Sequence, residues 1–417
     1  MIIPELLIPA GTEQKLQVAL EYGADAVYVG AAGFSMRPDG ASFSIDQLRN
    51  AVAYTHEYGK RLYVGVNSLI MQSELPALEQ WLEETKDIAF DALIIADPAT
   101  FMLTRQLRLD VEIHISTQMS TANALAAKFW KEAGAKRIIL ARECSLDETK
   151  QIAEQSTLPV EIFVHGAMCV AVSGRCLLSA YMTGFNASKG QCKHSCHWQW
   201  EVKEAKRPGE SYPVVETDNK TIIFSSTDLC LLEHIPALVQ SGVASLKVEG
   251  RMKSEYYIAS ITRSYRAALD AYATDPDDYA LNHNWLDDVN SVRHHPYYTG
   301  FAFGYPTENP ELLQASYVDI GTKDYVGIIE SIIGESTLVQ VKHPFELGEK
   351  LEWIGPQSQG GFVTVGSILD KQNHYVKKAH PGTSVHITVE GDNPLSRFSI
   401  LRRDKNIDNT KLERVEI

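Results

Sequence analysis

Short apolar runs alternate with longer amphipathic stretches through the first two-thirds of the chain. The runs are ELLIPA (5–10), ADAVYVG (24–30), RLYVGVN (61–67), DALIIAD (91–97), VEIHIS (111–116), RIILAR (137–142), VEIFVHG (160–166) and SLKVEG (245–250). Each is brief and almost continuously apolar, the pattern of a strand buried on both faces. Helical stretches lie between most of them, among them residues 12–22, 46–58, 120–132 and 146–155. Strands that alternate with helices imply parallel pairing with helices packed over the sheet. About eight such units within the first 270 or so residues predict an α/β fold, a (β/α)8 TIM-like barrel, rather than an open sheet. No GxGxxG opens the first helix, which argues against dinucleotide binding.

The pattern then changes. A long helix is predicted over 254–273, followed by an acidic polar stretch, TDPDDYALNHNWLDD (274–288). Beyond residue 311 come short β-like runs: YVGIIESI, STLVQVKH, KLEWIG, GFVTVGSI and TSVHITV, separated by Gly and polar turns. Such spacing predicts a small all-β barrel. The expected domains are a barrel over 1–275, a linker over 276–310, a β module over 311–395 and a charged tail over 396–417.

Composition narrows the class. The chain has 417 residues, 44% hydrophobic and 22% charged, as in soluble globular proteins. No apolar run reaches the roughly 18 residues of a membrane span. The start, MIIPELLIPAG, lacks the basic region of an export signal, so a cytoplasmic location is expected. A formal charge of −14 argues against a protein that coats nucleic acid. Residues 193–207 and 247–253 are local basic stretches that read either as binding patches or as solvated surface.

Polar residues gather where the predicted strands end: Asn67, Asp97, His114, Ser116, Gln118, Arg142, Glu143, His165, Glu249 and Arg251. In a (β/α)8 barrel those ends line the active-site face. Four of the six cysteines, Cys169, Cys176, Cys192 and Cys196, crowd one stretch with spacing C-x6-C-x15-C-x3-C, and Cys230 follows. In a reducing compartment clustered thiols point to a metal or cluster site rather than disulfides. Soft thiolates suit zinc, copper(I) or iron–sulfur, and this spacing matches neither paired zinc knuckles nor ferredoxin runs. Cys144 reads as a small packed apolar residue. His165 and His194 flank the cysteines, and His165, ending a strand, is the better acid–base candidate.

At these residues the chain resembles the U32 family, long labelled a peptidase family. The motif E-x-F-x2-G-[SA]-x-C-x4-G-x-C-x-x-S is present as Glu161, Phe163, Gly166, Ala167, Cys169, Gly174, Cys176 and Ser179. HISTQMSTAN (114–123), ILARECSL (139–146), SSTDLCLLEHIPAL (225–238), LKVEGRMKSEYYIA (246–259) and YYTGFAFG (297–304) extend the similarity over nearly the whole chain. The chain departs from the family's G-R-D-x-N-R-G before the third cysteine, reading Gly184-Phe185-Asn186-Ala187-Ser188-Lys189-Gly190. It also carries His197 where Arg is common.

The resemblance implies an oxygen-independent hydroxylase. Branches of the family act on the tRNA wobble uridine, on a 23S rRNA cytidine, or in anaerobic quinone synthesis. Length and the β module look most like the branch forming 5-hydroxyuridine in tRNA. A [4Fe–4S] cluster on Cys169, Cys176, Cys192 and Cys230 is implied, with Cys196 as alternative ligand, and prephenate as hydroxyl donor. Arg142, Lys247 and Arg251 are expected to bind that anionic donor or an RNA phosphate. His165, Glu143 and Glu249 are expected to move protons, and His114, Gln118 and Asn67 to hold substrate. For each charged residue the competing reading is an internal barrel salt bridge. The expected partners are tRNA and a paralogous U32 subunit, with no membrane. Two other classes compete. A metallo- or cysteine peptidase lacks HExxH and any Cys–His pair apart from the cysteine cluster. A zinc-stabilised binding module would need no redox centre.

Overall fold

The computed structural model describes residues 2–36, 41–108, 110–168, 173–174, 178–184, 215–217, 220–222, 227–304 and 320–405. Eight parallel strands close into a barrel. They are β1 (Glu5–Pro9), β2 (Ala26–Gly30), β3 (Arg61–Val66), β4 (Ala92–Ile95), β5 (Glu112–Ile115), β6 (Arg137–Ile139), β7 (Val160–Ala167) and β11 (Ser245–Val248). The last of these, β11, closes the ring by pairing with both β1 and β7. All eight predicted strands are present.

Helices α1 (Glu13–Glu21), α2 (Ile45–Glu57), α3 (Leu75–Glu84), α4 (Pro98–Leu107), α5 (Ala124–Ala133) and α6 (Leu146–Ser156) follow the first six strands in turn. Their starts are written in the sequence. Thr12 accepts from the Lys15 N–H, and Ser44 with Gln47 and Ser145 with Glu148 form capping boxes that satisfy otherwise orphaned amides. After β7 come α7 (Leu178–Thr183), the separate pair β8 (Val215–Thr217) and β9 (Lys220–Ile222), then β10 (Asp228–Cys230), which runs antiparallel along β7. Short α8 (Ile235–Gln240) precedes β11, and α9 (Glu255–Thr274) follows it.

Strand alternation sorts the side chains. Leu6 and Ile8 join the large core beneath the helices, while Leu7, Ala26, Tyr28, Tyr63, Ala92, Ile94 and Ile139 pack together inside the barrel. Toward the strand N-termini the interior becomes ionic. Glu161, fully buried, accepts from Lys247 Nζ at 2.8 Å and from Arg137 Nη1 at 3.0 Å. Arg137 also reaches Glu5 at 2.6 Å, and Tyr63 and Ser245 donate to the same Glu5 carboxylate.

The segment expected as linker is structured. It carries α10 (His283–Ser291), packed along α9, and β12 (Tyr297–Tyr298), which pairs with β10. Six antiparallel strands then close a second barrel in the order β13 (Lys323–Ile333), β14 (Ser336–Val341), β19 (Ser384–Val389), β17 (Gly360–Leu369), β16 (Lys350–Ile354) and β20 (Ile400–Asp404). A two-stranded piece, β15 (Phe345–Glu346) with β18 (Lys378–Ala379), hangs from it. The stretch expected as a charged tail therefore supplies a closing strand. Its charges are paired: Arg402 donates to Asp288 at 2.7 Å and to Glu352 at 2.5 Å, and Arg403 to Glu349 at 2.6 Å.

The two barrels share a face. Tyr22, just past α1, donates to the carbonyls of Ile354 or Phe398, Arg263 of α9 donates to the Gln359 carbonyl at 3.0 Å, and Ile328, Ile354, Phe398 and Ile400 join the core of the first barrel. No helix among the described residues is long and apolar enough to cross a membrane.

Removing one member of a buried ion pair strands the other, at a cost of about 3–5 kcal/mol. Glu161→Gln is therefore expected to lower unfolding free energy by about that amount in a denaturant melt. Burial alone would raise the Glu161 pKa, but Lys247 and Arg137 hold it down to about 2 from an ordinary 4.5. A depressed carboxylate stabilises the fold above its unfolded pKa, and that contribution is lost as pH falls from 4.5 toward about 2. The acid limb of the stability curve should flatten in Glu161→Gln. Wild-type stability in this variant would show that the network does not hold the barrel.

Candidate active site

The mouth of the first barrel is built from the loops that leave its strands. Glu249 and Arg251 lie just beyond β11. Tyr28 donates to Glu249 Oε2 at 3.3 Å, and the Glu249 N–H bonds the His165 carbonyl at 2.8 Å. Arg251 is buried across the ends of β1 and β2, where Gly11 and Gly30 leave it room; a Cβ on either would collide with it. Asn67, at the end of β3, accepts from the Met36 N–H at 3.2 Å and so also orders the loop after β2.

Arg142 and Glu143 do not pair with each other. The Arg142 guanidinium lies 4.2 Å over the Phe163 ring and donates to the Ala167 carbonyl at 3.3 Å. Glu143 Oε1 accepts from the Ser173 N–H at 3.0 Å, leaving Oε2 without a partner among the described residues. Ser120 also donates to the Ser173 carbonyl. Gly174, at φ +77°, sits so close to the Gln118 carbonyl that a Cβ would collide with it. These contacts tie residues 173–174, midway between Cys169 and Cys176, onto the loops after β5 and β6. Cys169, Cys176, Cys192 and Cys196 themselves, with His194, lie outside the described residues.

His165 lies beneath the mouth, 1% exposed, caged by Tyr257, Tyr265 and Tyr297. Tyr265 OH is 3.5 Å from Nδ1, and Tyr297 OH is 3.4 Å from Nε2. Burial drives its pKa down to about 3, against the raising influence of Asp228, so the ring is neutral at physiological pH. Tyr297 can give its proton either to this ring or to the Val289 carbonyl at 3.2 Å. Gly166, at φ +106°, lets β7 pass against Glu249, where a Cβ would collide with that residue's backbone.

Cys230 stands opposite His165 on β10 and is half-buried. Burial pushes its thiol up to about 11. Two residues earlier, Asp228 is 1% exposed and accepts from both the backbone N–H and Nδ1 of His295, each at 3.2 Å. Burial would raise its pKa, but these bonds and the Lys253 charge 3.9 Å away lower it, so the carboxylate stays ionised. His294 stacks flat on Tyr297, with centroids 3.9 Å apart.

Of the residues expected at the site, Arg142, Glu143, Gln118, Asn67, Glu249 and Arg251 are at the mouth and His165 and Cys230 are just below it. Lys247 and His114 are not. Lys247 points down the interior to Glu161, and buried His114 lies edge-on to Tyr63 with Nε2 3.4 Å from Glu112. The internal salt-bridge reading describes the placement of Lys247, while His114, whose pKa burial lowers, is a packed ring. Cys144 is half-buried, its thiol pushed up to about 12 by burial and by Glu148 and Glu143, as suits a packing residue. Asp228, His295, Tyr257, Tyr265 and Tyr297 were missed. The signal for His295 and Tyr297 was the density of His and Tyr in RHHPYYTG, while Asp228 and Tyr257 lay inside the family blocks at 225–238 and 246–259.

A (β/α)8 barrel with a cysteine-rich excursion after its seventh strand and an antiparallel barrel docked on its last helices defines a two-domain architecture. The chain matches the Peptidase family U32 over residues 11–311 and the Peptidase family U32 C-terminal domain over 322–402. It belongs to that family. It is 33% identical to the tRNA hydroxylation protein P1 of Bacillus subtilis, over 91% of this chain and 90% of that protein. It is 34% identical to the tRNA hydroxylation protein P of Escherichia coli, over 99% of each. The 23S rRNA 5-hydroxycytidine C2501 synthase of Escherichia coli is 34% identical over 66% of this chain but 41% of that protein.

Asp228→Asn should cost about 1–3 kcal/mol, the scale of a buried hydrogen-bond partner lost. It should also speed amide exchange at His295 and Tyr297, read by mass spectrometry. Unchanged protection there would mean that backbone pairing and Arg402 hold the segment without Asp228.

Proposed function

We propose that this chain is an oxygen-independent RNA hydroxylase that forms 5-hydroxyuridine at the tRNA wobble position. The observation that carries the reading is its end-to-end similarity, through both domains, to proteins named for tRNA hydroxylation. Similarity to the rRNA hydroxycytidine synthase covers less than half of that protein, so tRNA is the favoured substrate.

In this reading Cys169, Cys176, Cys192 and Cys230 hold a [4Fe–4S] cluster, Cys196 being the alternative ligand. The described part of the site suits it. Cys230 offers a soft thiol in an apolar setting, where a metal rather than a nearby base would have to deprotonate it. Ser173 and Gly174, between Cys169 and Cys176 in sequence, are held at the mouth by Glu143, Ser120 and Gln118. When bound, the cluster supplies the redox or Lewis-acid chemistry that side chains lack. The chain's own residues do the rest. Arg142 and Arg251 bind the carboxylates of the donor, prephenate. Glu249 and Glu143 accept or return protons at the mouth. Neutral His165 and Tyr297 hold a proton between them beneath it.

A cysteine-peptidase mechanism fits less well. Cys144 and Cys230 are held as protonated thiols and His165 as a neutral ring, so the described residues contain no thiolate–imidazolium pair.

Strictly anaerobic purification is expected to yield about four irons and four sulfides per chain, the composition of one such cluster. Cys169→Ser and Cys230→Ser should each lose the cluster and, in a deletion strain, fail to restore 5-hydroxyuridine in tRNA nucleoside digests. Zinc alone after attempted reconstitution, or unchanged 5-hydroxyuridine in the deletion strain, would overturn the proposal.

A further inference from the structure

A polyanionic substrate must dock on a chain of net charge −14. The described mouth is of mixed charge, with Glu143 and Glu249 beside Arg142 and Arg251. A cationic surface lies instead on the second barrel, in the turn from β17 to β18. Residues 370–380 read DKQNHYVKKAH, three lysines against one aspartate. Lys371, Lys377 and Lys378 are exposed, and so is Tyr375, at 80%. Lys378 pairs with Glu346 at 3.0 Å, and no ion pair involves Lys371 or Lys377 among the described residues.

The turn is ordered by its own bonds. Asp370 Oδ1 accepts from the N–H groups of Gln372 and His374 at 2.8 and 2.9 Å, Tyr375 bridges Leu369, and Val376 N–H bonds the Ile368 carbonyl. The one acidic residue is thus used inside the turn, while the ring and the lysines face outward. A pre-ordered aromatic platform flanked by cations is the arrangement that stacks unpaired bases and neutralises phosphates. A protein-docking face would instead centre on contiguous apolar surface, and here one exposed apolar side chain, Leu347, lies beside Lys377.

Position supports the same conclusion. Glu255 opens α9 directly after the β11 loop, so it marks the mouth side of the first barrel. Lys342 and Tyr325 both reach Glu255 at 3.4 Å. Val341, next to Lys342, exchanges backbone bonds with Gly382 and Thr383, and Leu369 pairs with His386 near the start of β19. The end of the second barrel from which the turn projects is therefore the end that touches the mouth side of the first.

We infer that the 370–380 turn docks the RNA substrate, stacking an unpaired base on Tyr375 and contacting phosphates through Lys371, Lys377 and Lys378. This inference rests on the RNA reading proposed above. The test is binding of an unmodified tRNA transcript to the full, anaerobically purified chain, measured by fluorescence anisotropy over a range of salt. Lys371→Ala/Lys377→Ala/Lys378→Ala should make the log–log salt slope shallower by about two. Tyr375→Ala should weaken binding about tenfold with its slope unchanged. All substitutions are at exposed positions, and unaltered melting curves would confirm folding. If wild type binds and the variants match it in affinity and slope, the turn is not the contact and the RNA reading stands. If wild type binds no tRNA at any salt, that reading falls and this inference with it. Variants that lose hydroxylation in cells yet keep full tRNA affinity would assign the turn to a protein partner and overturn the inference.

Discussion

The first barrel closes around one carboxylate. Glu161 lies on β7, has no exposed surface, and accepts from Lys247 on β11 and Arg137 on β6. Arg137 carries the link to Glu5 on β1, where Tyr63 and Ser245 also converge. The strand that completes the ring, β11, comes from far along the chain, after the cysteine-rich excursion. Apolar contact alone would tolerate a slip of β11 against β7. A charge that must meet its partner in a dry interior does not, because a misregistered strand would leave both ions uncompensated.

That closure sets the site. With β11 in register, Glu249 meets the His165 backbone and Arg251 falls across β1 and β2. The other wall arrives from elsewhere. Segment 292–298 brings His295 to Asp228 and Tyr297 to His165, and it leaves α10, which Arg402 of the second barrel holds through Asp288. Thr322 and Ile320, leading into the second barrel, bond the backbone of Asn290 and His294. The second barrel is thus joined to the site by a short run of bonded residues.

Much of this was legible beforehand. The eight strands were readable because parallel strands buried on both faces leave uninterrupted apolar runs. The helices opening near residues 12, 46, 146 and 254 were readable, whereas the stretch expected from 120 becomes helix only at Ala124, where Asn123 caps it. The mouth was readable as far as polar residues sat at strand ends. Lys247 and His114 show the limit of that rule. They are adjacent to the mouth in sequence, but their side chains point into the interior, where Glu161 and Tyr63 engage them. Strand β20 was misread as tail for a related reason: ILRRD looks solvated until Asp288, Glu352 and Glu349 are placed against its arginines.

The sequence by itself determined the fold class, the two-domain order, the family and the cysteine spacing. Each of these depends on local periodicity or on short motifs, which need no knowledge of distant partners. The tertiary structure alone decided that three tyrosines enclose His165, that His295 pairs with Asp228, that the expected linker is a wall of the site, and that the cationic turn leaves the end of the second barrel that meets Glu255. Those relations join residues up to about 130 positions apart. They follow from which face of each element is buried against which neighbour, and that is fixed only once the barrel has closed.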